Sequence, residues 1–73
     1  RKTDEAIREI GRLARQFDQE ELDEARDFLQ WLANRHFVFL GYMEYDFFDA
    51  SGAPCLKVVS QSELGVFKIA DAE

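Results

Sequence analysis

The stretch HFVFLGYMEYDFF, residues 36–48, decides the fold because it concentrates aromatic residues in one segment. Six of its thirteen residues are Phe or Tyr, and two are acidic. Side chains alternate between two faces in a strand, and the alternation here predicts one. One predicted face is apolar throughout and carries Phe37, Phe39, Gly41, Met43, Tyr45 and Phe47. The other face is apolar as far as Tyr42 and acidic afterwards, so we expect a strand that is buried on both sides only at its start.

Upstream of this stretch, apolar residues recur every three or four positions, which predicts helices. The first helix has an apolar stripe of Ile7, Ile10, Ala14 and Phe17. Thr3 is its predicted N-cap, and Gly11 inside it costs about 1 kcal/mol relative to alanine. A second helix is predicted to begin near Asp18, which has the capping-box spacing to Glu21. Its apolar stripe is Leu22, Ala25, Phe28, Leu29 and Leu32, with Trp31 beside it.

The predicted order of elements gives an α+β fold. No Gly or Pro separates the two helices, so a helical hairpin and one long bent helix are both open. Downstream, residues 49–52 have the composition of a turn, residues 55–60 of a returning strand and residues 64–69 of a third strand. We expect a single domain over residues 1–73, with a helical segment at 1–35 and a three-stranded antiparallel sheet at 36–70.

Composition and charge exclude several classes of site and partner. The chain has 73 residues and a formal net charge of −6, which repels phosphate backbones and anionic lipid. We therefore expect neither nucleic acid nor a membrane as partner. One cysteine and one histidine exclude an internal disulfide and a Cys/His zinc site, and the lone thiol fits a reducing cytoplasm. Because the chain begins at Arg1 rather than Met, we expect a piece of a longer protein.

Few side chains offer catalytic chemistry. Glu44 and Asp46 share a strand face, where a solvated surface is the favoured interpretation over an acid–base pair or a cation site. His36 is favoured as a packing residue between helix and strand, and Cys55 as a small buried apolar residue. The glycines are isolated, so no phosphate-binding loop is present. We predict no catalytic, metal or cofactor-binding residue in this chain.

The aromatic segment is predicted to form a core or an interface. The residues assigned to it are Trp31, Phe37, Phe39, Leu40, Gly41, Tyr42 and Tyr45. Residues 37–42 are apolar on both faces, whereas the chain supplies helices for only one face of its sheet. We therefore expect the rest of a longer chain or a second copy to cover the other face, and we predict self-association.

Residues 24–46, EARDFLQWLANRHFVFLGYMEYD, resemble the N-terminal region of the large bacterial NAD-specific glutamate dehydrogenases. In that family a helix of the type FLxWLA runs into xFxFLGYxEY. Leu64-Gly65-Val66 resembles a following strand more weakly, and the paired Phe47-Phe48 is bulkier than the family pattern.

The resemblance implies a parent that oxidises L-glutamate to 2-oxoglutarate and ammonia with NAD. It also implies that this segment belongs to ACT-like or related modules that precede the catalytic domain and assemble the oligomer. None of the family's catalytic or NAD-binding residues lies in this fragment. The resemblance supports a first hypothesis, a non-catalytic regulatory or assembly segment of such an enzyme. The aromatic sheet, which has enough rings to line a pocket, supports an alternative, a stand-alone PAS-like or ACT-like small-ligand sensory or dimerisation module of an unrelated protein.

Overall fold

Three helices precede a three-stranded sheet in the computed structural model, which describes residues 2–37, 42–61 and 66–72. The elements are α1 (Lys2–Gln16), α2 (Gln19–Glu24), α3 (Arg26–His36), β1 (Glu44–Phe48), β2 (Pro54–Ser60) and β3 (Phe67–Asp71). The strands lie in the order β1-β2-β3, and both neighbouring pairs are antiparallel. The predicted α+β class and three-stranded antiparallel sheet are confirmed, and the ACT-like or PAS-like module stays a prediction. None of the described helices has the length and apolarity needed to cross a bilayer.

The helical segment contains three helices rather than the predicted two. The capping box is confirmed: the Asp18 carboxylate accepts from the Glu21 N–H at 2.9 Å, and the Glu21 side chain accepts from the Asp18 N–H. The second predicted helix is nevertheless divided at Ala25, whose φ and ψ are −87° and 2°. The Ala25 N–H bonds to the carbonyls of both Asp23 and Glu21, and α3 begins at the next residue, Arg26.

The start of α1 lies beside the end of α3. Thr3 is not an N-cap as predicted, because α1 begins at Lys2 and Thr3 lies within its first turn. The Thr3 hydroxyl instead donates to the His36 carbonyl at 2.9 Å. This bond satisfies one of the carbonyls that the end of α3 leaves unpaired, and it favours the hairpin over one long bent helix.

The helices cover one face of the sheet. On that face Phe47 lies opposite Leu56, and Val58 lies between Tyr45 and Ile69. α1 packs on β1 and α3 on β3, so the core fills the layer between helices and sheet. The buried apolar residues are Ala6, Ile10, Leu13, Ala14, Leu22, Leu29, Leu32, Ala33, Phe37, Phe47, Cys55, Leu56, Val58, Phe67 and Ile69.

The first strand begins later than predicted. Phe37 is the C-cap of α3 rather than the first residue of a strand: its N–H donates to the Ala33 carbonyl at 2.9 Å, and β1 starts only at Glu44. Residues 38–41 lie outside the described residues. Residues 62–65 do as well, and they include the first two positions, 64 and 65, of the third predicted strand. From Tyr45 to Phe48 the side chains alternate between the two faces as predicted. The rings of Tyr45 and Phe47 lie on the helix side of the sheet, with their centres 4.9 Å apart.

The predicted turn after β1 is confirmed. The Asp49 carboxylate accepts hydrogen bonds from the N–H groups of Ser51 and Ala53 at 2.9 and 3.0 Å. The Ser51 hydroxyl also donates to it, and these bonds lower the pKa of Asp49. Gly52 adopts a positive φ of 88°, a backbone conformation that residues with a Cβ atom disfavour. These hydrogen bonds join residues 49–53 to one another, so they are local to the turn that leads the chain into β2.

Replacing Gly11 with alanine is expected to stabilise the protein by about 0.5–1 kcal/mol, because glycine weakens a helix interior. An added Cβ would lie 3.8 Å from the Phe47 ring and 3.3 Å from the guanidinium of Arg15, whose flexible side chain can shift. Gly52→Ala is the matched control and should instead destabilise by about 1–2 kcal/mol through its positive φ. Urea unfolding of both variants measures the difference. A destabilised Gly11→Ala protein would show that α1 and Phe47 pack too closely to accommodate an added methyl group.

Candidate functional site

The aromatic residues assigned to a core or interface separate into two groups. Phe37 is buried, and its ring centre lies 5.6 Å from that of Phe67 in the core. Tyr42, Tyr45 and Trp31 are exposed, with Tyr42 exposed by 78%. For these three the core alternative is wrong, and the interface alternative stays a prediction. The remaining three assigned residues, Phe39, Leu40 and Gly41, lie outside the described residues.

An exposed aromatic patch lies on α3 and consists of Phe28, Trp31 and Arg35. The Phe28 and Trp31 rings stack with centres 5.9 Å apart, and they are exposed by 49% and 53%. The Arg35 guanidinium lies 5.5 Å from the centre of the Trp31 ring, within reach of a cation–π contact. Phe28 belongs to the apolar stripe predicted for this helix, but it does not lie on the buried face of α3, which is formed by Leu29, Leu32 and Ala33.

The acidic pair on β1 is solvated, as predicted. Glu44 and Asp46 are both exposed, and Glu44 forms an ion pair with Lys57 at 3.2 Å. The Tyr42 hydroxyl donates to Glu44 and, together with Lys57, lowers the pKa of that carboxyl. Within residues 2–37, 42–61 and 66–72, no group of three His, Cys, Asp or Glu side chains could hold a metal ion.

Cys55 and His36 have structural surroundings. Cys55 is buried, and its Sγ lies 3.6 Å from the Phe47 carbonyl. Burial, and then the charge of Asp49, raise the pKa of the thiol, which opposes formation of a nucleophilic thiolate. His36 closes α3, and its Nδ1 is buried without a hydrogen-bond partner among the described residues. Both placements fit the packing roles expected from the sequence.

Polar side chains of α3 occupy the outer edge of β3. Asn34 accepts from the Phe67 N–H at 2.9 Å, and the Gln30 side chain donates to the Phe67 carbonyl. Gln30 also accepts from the Ile69 N–H at 2.8 Å. Arg26 donates to the Ile69 carbonyl at 3.3 Å and to the Asp71 carboxylate at 2.6 Å. These side chains replace a neighbouring strand and block this edge against further pairing.

The outer edge of β1 has no such cover among the described residues. The Ser60 N–H donates to the Met43 carbonyl at 3.0 Å, and antiparallel pairing alternates from there. Tyr45 and Phe47 therefore direct their main-chain groups towards β2, whereas Glu44 and Asp46 direct theirs outward. No hydrogen bond from another described residue reaches those outward groups. Within the part of the chain that the structure describes, the sheet thus has one capped edge and one open edge.

A groove of about 550 Å³ runs beside the open edge, between α1 and β1. We call it the edge groove. Residues 45–49 form one wall, and α1 forms the other with Ile7, Gly11 and the arginine stripe of Arg8, Arg12 and Arg15. Arg12 forms a salt bridge with Glu9 and a hydrogen bond with Gln16. An acidic chain therefore places three guanidinium groups along its open sheet edge.

Sequence reasoning missed both edge features, although each has a signal. Arg26, Gln30 and Asn34 recur at spacings of four, which places them on one side of a helix. Arg8, Arg12 and Arg15 likewise share one side of α1. Long polar side chains at helical spacing usually indicate a solvated face, and only the position of the sheet reveals which of them cap main-chain groups.

The chain is similar in sequence to two NAD-specific glutamate dehydrogenases. It is 46% identical over 54 residues to the enzyme of Halomonas elongata and 32% identical over 68 residues to that of Pseudomonas aeruginosa. The matches cover 74% and 93% of this chain, but only 3% and 4% of the respective relatives. No protein-family model matches the chain, and no solved structure matches it. The resemblance predicted from residues 24–46 is therefore confirmed, and the chain is related to a short segment of NAD-specific glutamate dehydrogenases.

Proposed function

We propose that this chain is a non-catalytic assembly or regulatory segment from the N-terminal region of a large, cytoplasmic, oligomeric NAD-dependent glutamate dehydrogenase. The parent would oxidise L-glutamate to 2-oxoglutarate and ammonia, and it would bind NAD outside this segment. The share of each sequence that the similarity covers supports the proposal. It extends over most of this chain but over a small part of each relative, which fits one module within a much longer enzyme.

The aromatic patch is the observation that carries the assembly role. Two stacked rings that are each about half exposed present an apolar surface that water solvates poorly. Aromatic side chains with an adjacent arginine are also enriched at the centres of protein interfaces. The rest of the parent chain or a neighbouring subunit is the proposed cover for Phe28 and Trp31.

The test replaces the patch in the full-length enzyme with Phe28→Ser and Trp31→Ser together. We expect smaller species in light scattering or a lower melting temperature, with unchanged KM values for glutamate and NAD in the assembled fraction. Glu24→Ser is the matched control, because Glu24 is exposed at the end of α2. A changed KM with an intact assembly would contradict the proposal, and so would a patch variant that behaves like the control.

The alternative is a stand-alone module that senses a small ligand. The edge groove favours this alternative because it places guanidinium groups beside an exposed aromatic ring, Tyr45. A thermal-shift screen of the 73-residue chain with amino acids and nucleotides tests it. Stabilisation by one of these compounds would support the sensor, whereas no shift with any of them would count against it.

A further inference from the structure

We infer that the edge groove accepts an extended acidic segment of a partner chain, which adds to the sheet as a fourth strand beside β1. Such docking does not depend on which longer protein carries this chain. The inference rests on the difference between the two sheet edges and on the positive charge of the α1 wall of the groove, which faces a β1 wall that carries Asp46 and Asp49.

The hydrogen-bonding pattern decides where a strand can add. At β3, the Phe67 and Ile69 main-chain groups are already bonded to side chains of α3. At β1, the outward N–H and C=O groups of Glu44 and Asp46 have the spacing that an antiparallel or parallel partner strand requires. Strand addition is therefore directed to β1.

The charge of the groove selects the partner's side chains. Alternate side chains of an added strand would face the helix side, where the arginine stripe lies. Arg8 and Arg15 are exposed, and both line the edge groove. Asp or Glu at every second position of the partner would meet this stripe. The residues between them would lie beside Glu44 and Asp46, which favours neutral or basic side chains there.

A second copy of this chain fits the edge less well. Antiparallel pairing of two β1 strands about a twofold axis would set Glu44 of one copy opposite Asp46 of the other. Like charges directly opposite each other destabilise a strand pair. The two arginine stripes would also lie on the same side of the joined sheet. The partner chemistry is therefore an acidic strand from elsewhere rather than β1 itself.

The probe is an acetylated and amidated peptide of five Glu-Thr repeats, added to the 73-residue chain and followed by amide hydrogen exchange. We expect slower exchange at the Glu44 and Asp46 amides, because the outward N–H groups become hydrogen-bonded. A Lys-Thr peptide of equal length is expected to give no protection. Two further Glu-Thr peptides carry N-methyl groups, one on all Glu amides and the other on all Thr amides. The peptide whose methylated amides face β1 should no longer protect Glu44 and Asp46, whereas the other peptide should still protect them.

Two variants locate the docking site on the protein. Arg8→Gln together with Arg15→Gln should weaken binding of the Glu-Thr peptide about tenfold, which corresponds to about 1.4 kcal/mol. Arg35→Gln, in the aromatic patch, is the control and should bind as the unaltered chain does. Asp46→Pro should abolish protection of the Glu44 amide, the readout amide that remains, while the fold is retained, because the lost N–H points away from β2.

Several outcomes would overturn the inference. One is equal binding of the Lys-Thr peptide. Another is protection of Glu44 and Asp46 that appears without peptide and grows with protein concentration, which would identify a second copy as the partner. A third is peptide binding that leaves both amides unprotected, which would indicate charge attraction to the arginine stripe without strand addition.

Discussion

Phe67→Ala is expected to reduce the free energy of unfolding by about 3–5 kcal/mol, the usual range for removing a buried phenylalanine ring. Phe67 is 1% exposed and contacts Phe37, so its ring joins β3 to the end of α3. A chain of this length has roughly 4–11 kcal/mol of stability in total. The substitution should therefore remove a large part of the folding free energy and lower the urea midpoint, which far-UV circular dichroism in a urea series measures.

Val66→Ala is the control for this substitution, since Val66 precedes Phe67 and is 45% exposed. We expect the control to change stability by less than about 1 kcal/mol, because little apolar area leaves water at that position. Equal losses of unfolding free energy at the two positions would show that the buried Phe67 ring is not what holds β3 to the core.

Gln30→Ala is expected to destabilise the protein by about 1–2 kcal/mol and to promote association. The substitution removes the partners of the Phe67 carbonyl and the Ile69 N–H at the outer edge of β3. Each lost bond contributes about 1 kcal/mol, and water at this partly exposed edge recovers some of it. An uncovered edge is also a template for pairing between chains.

Urea unfolding and light scattering at increasing protein concentration measure the two effects. Gln19→Ala is the control, because the Gln19 side chain donates to Asp23 within α2 at 3.0 Å and bonds to no main-chain group of β3 among the described residues. The control should remain monodisperse and within about 0.5 kcal/mol of the unaltered chain. If Gln30→Ala matches it in both measurements, the side chains of α3 do not protect β3.

Local chemistry allowed several features to be predicted from the sequence. The Asp18 and Glu21 capping box and the turn at Asp49 depend on groups a few residues apart, so short motifs were sufficient to identify them. The two-residue period identified the helix-facing side of β1 as far back as Tyr45, because side-chain alternation is a local property of extended backbone.

Features that depend on tertiary contacts were missed. Ala25 is a strong helix former, and nothing local predicts that the chain turns there. Phe37 fits both the end of a helix and the start of a strand, and its contact with Phe67 comes from a residue far along the chain. The exposure of Phe28 follows from the rotation of α3 about its own axis, which places Leu29 and Ala33 on the buried face of the helix. The capped and open edges need the strand order, which periodicity does not supply.

The side chains that cap β3 also limit how far any assembly through this sheet can extend. Open-ended fibrils require a subunit that can both offer and receive a strand edge, so that each addition creates the next site. Here Gln30 and Asn34 remove one of the two ends. A unit with a single receptive end finishes its assembly after one addition instead of growing into a fibril.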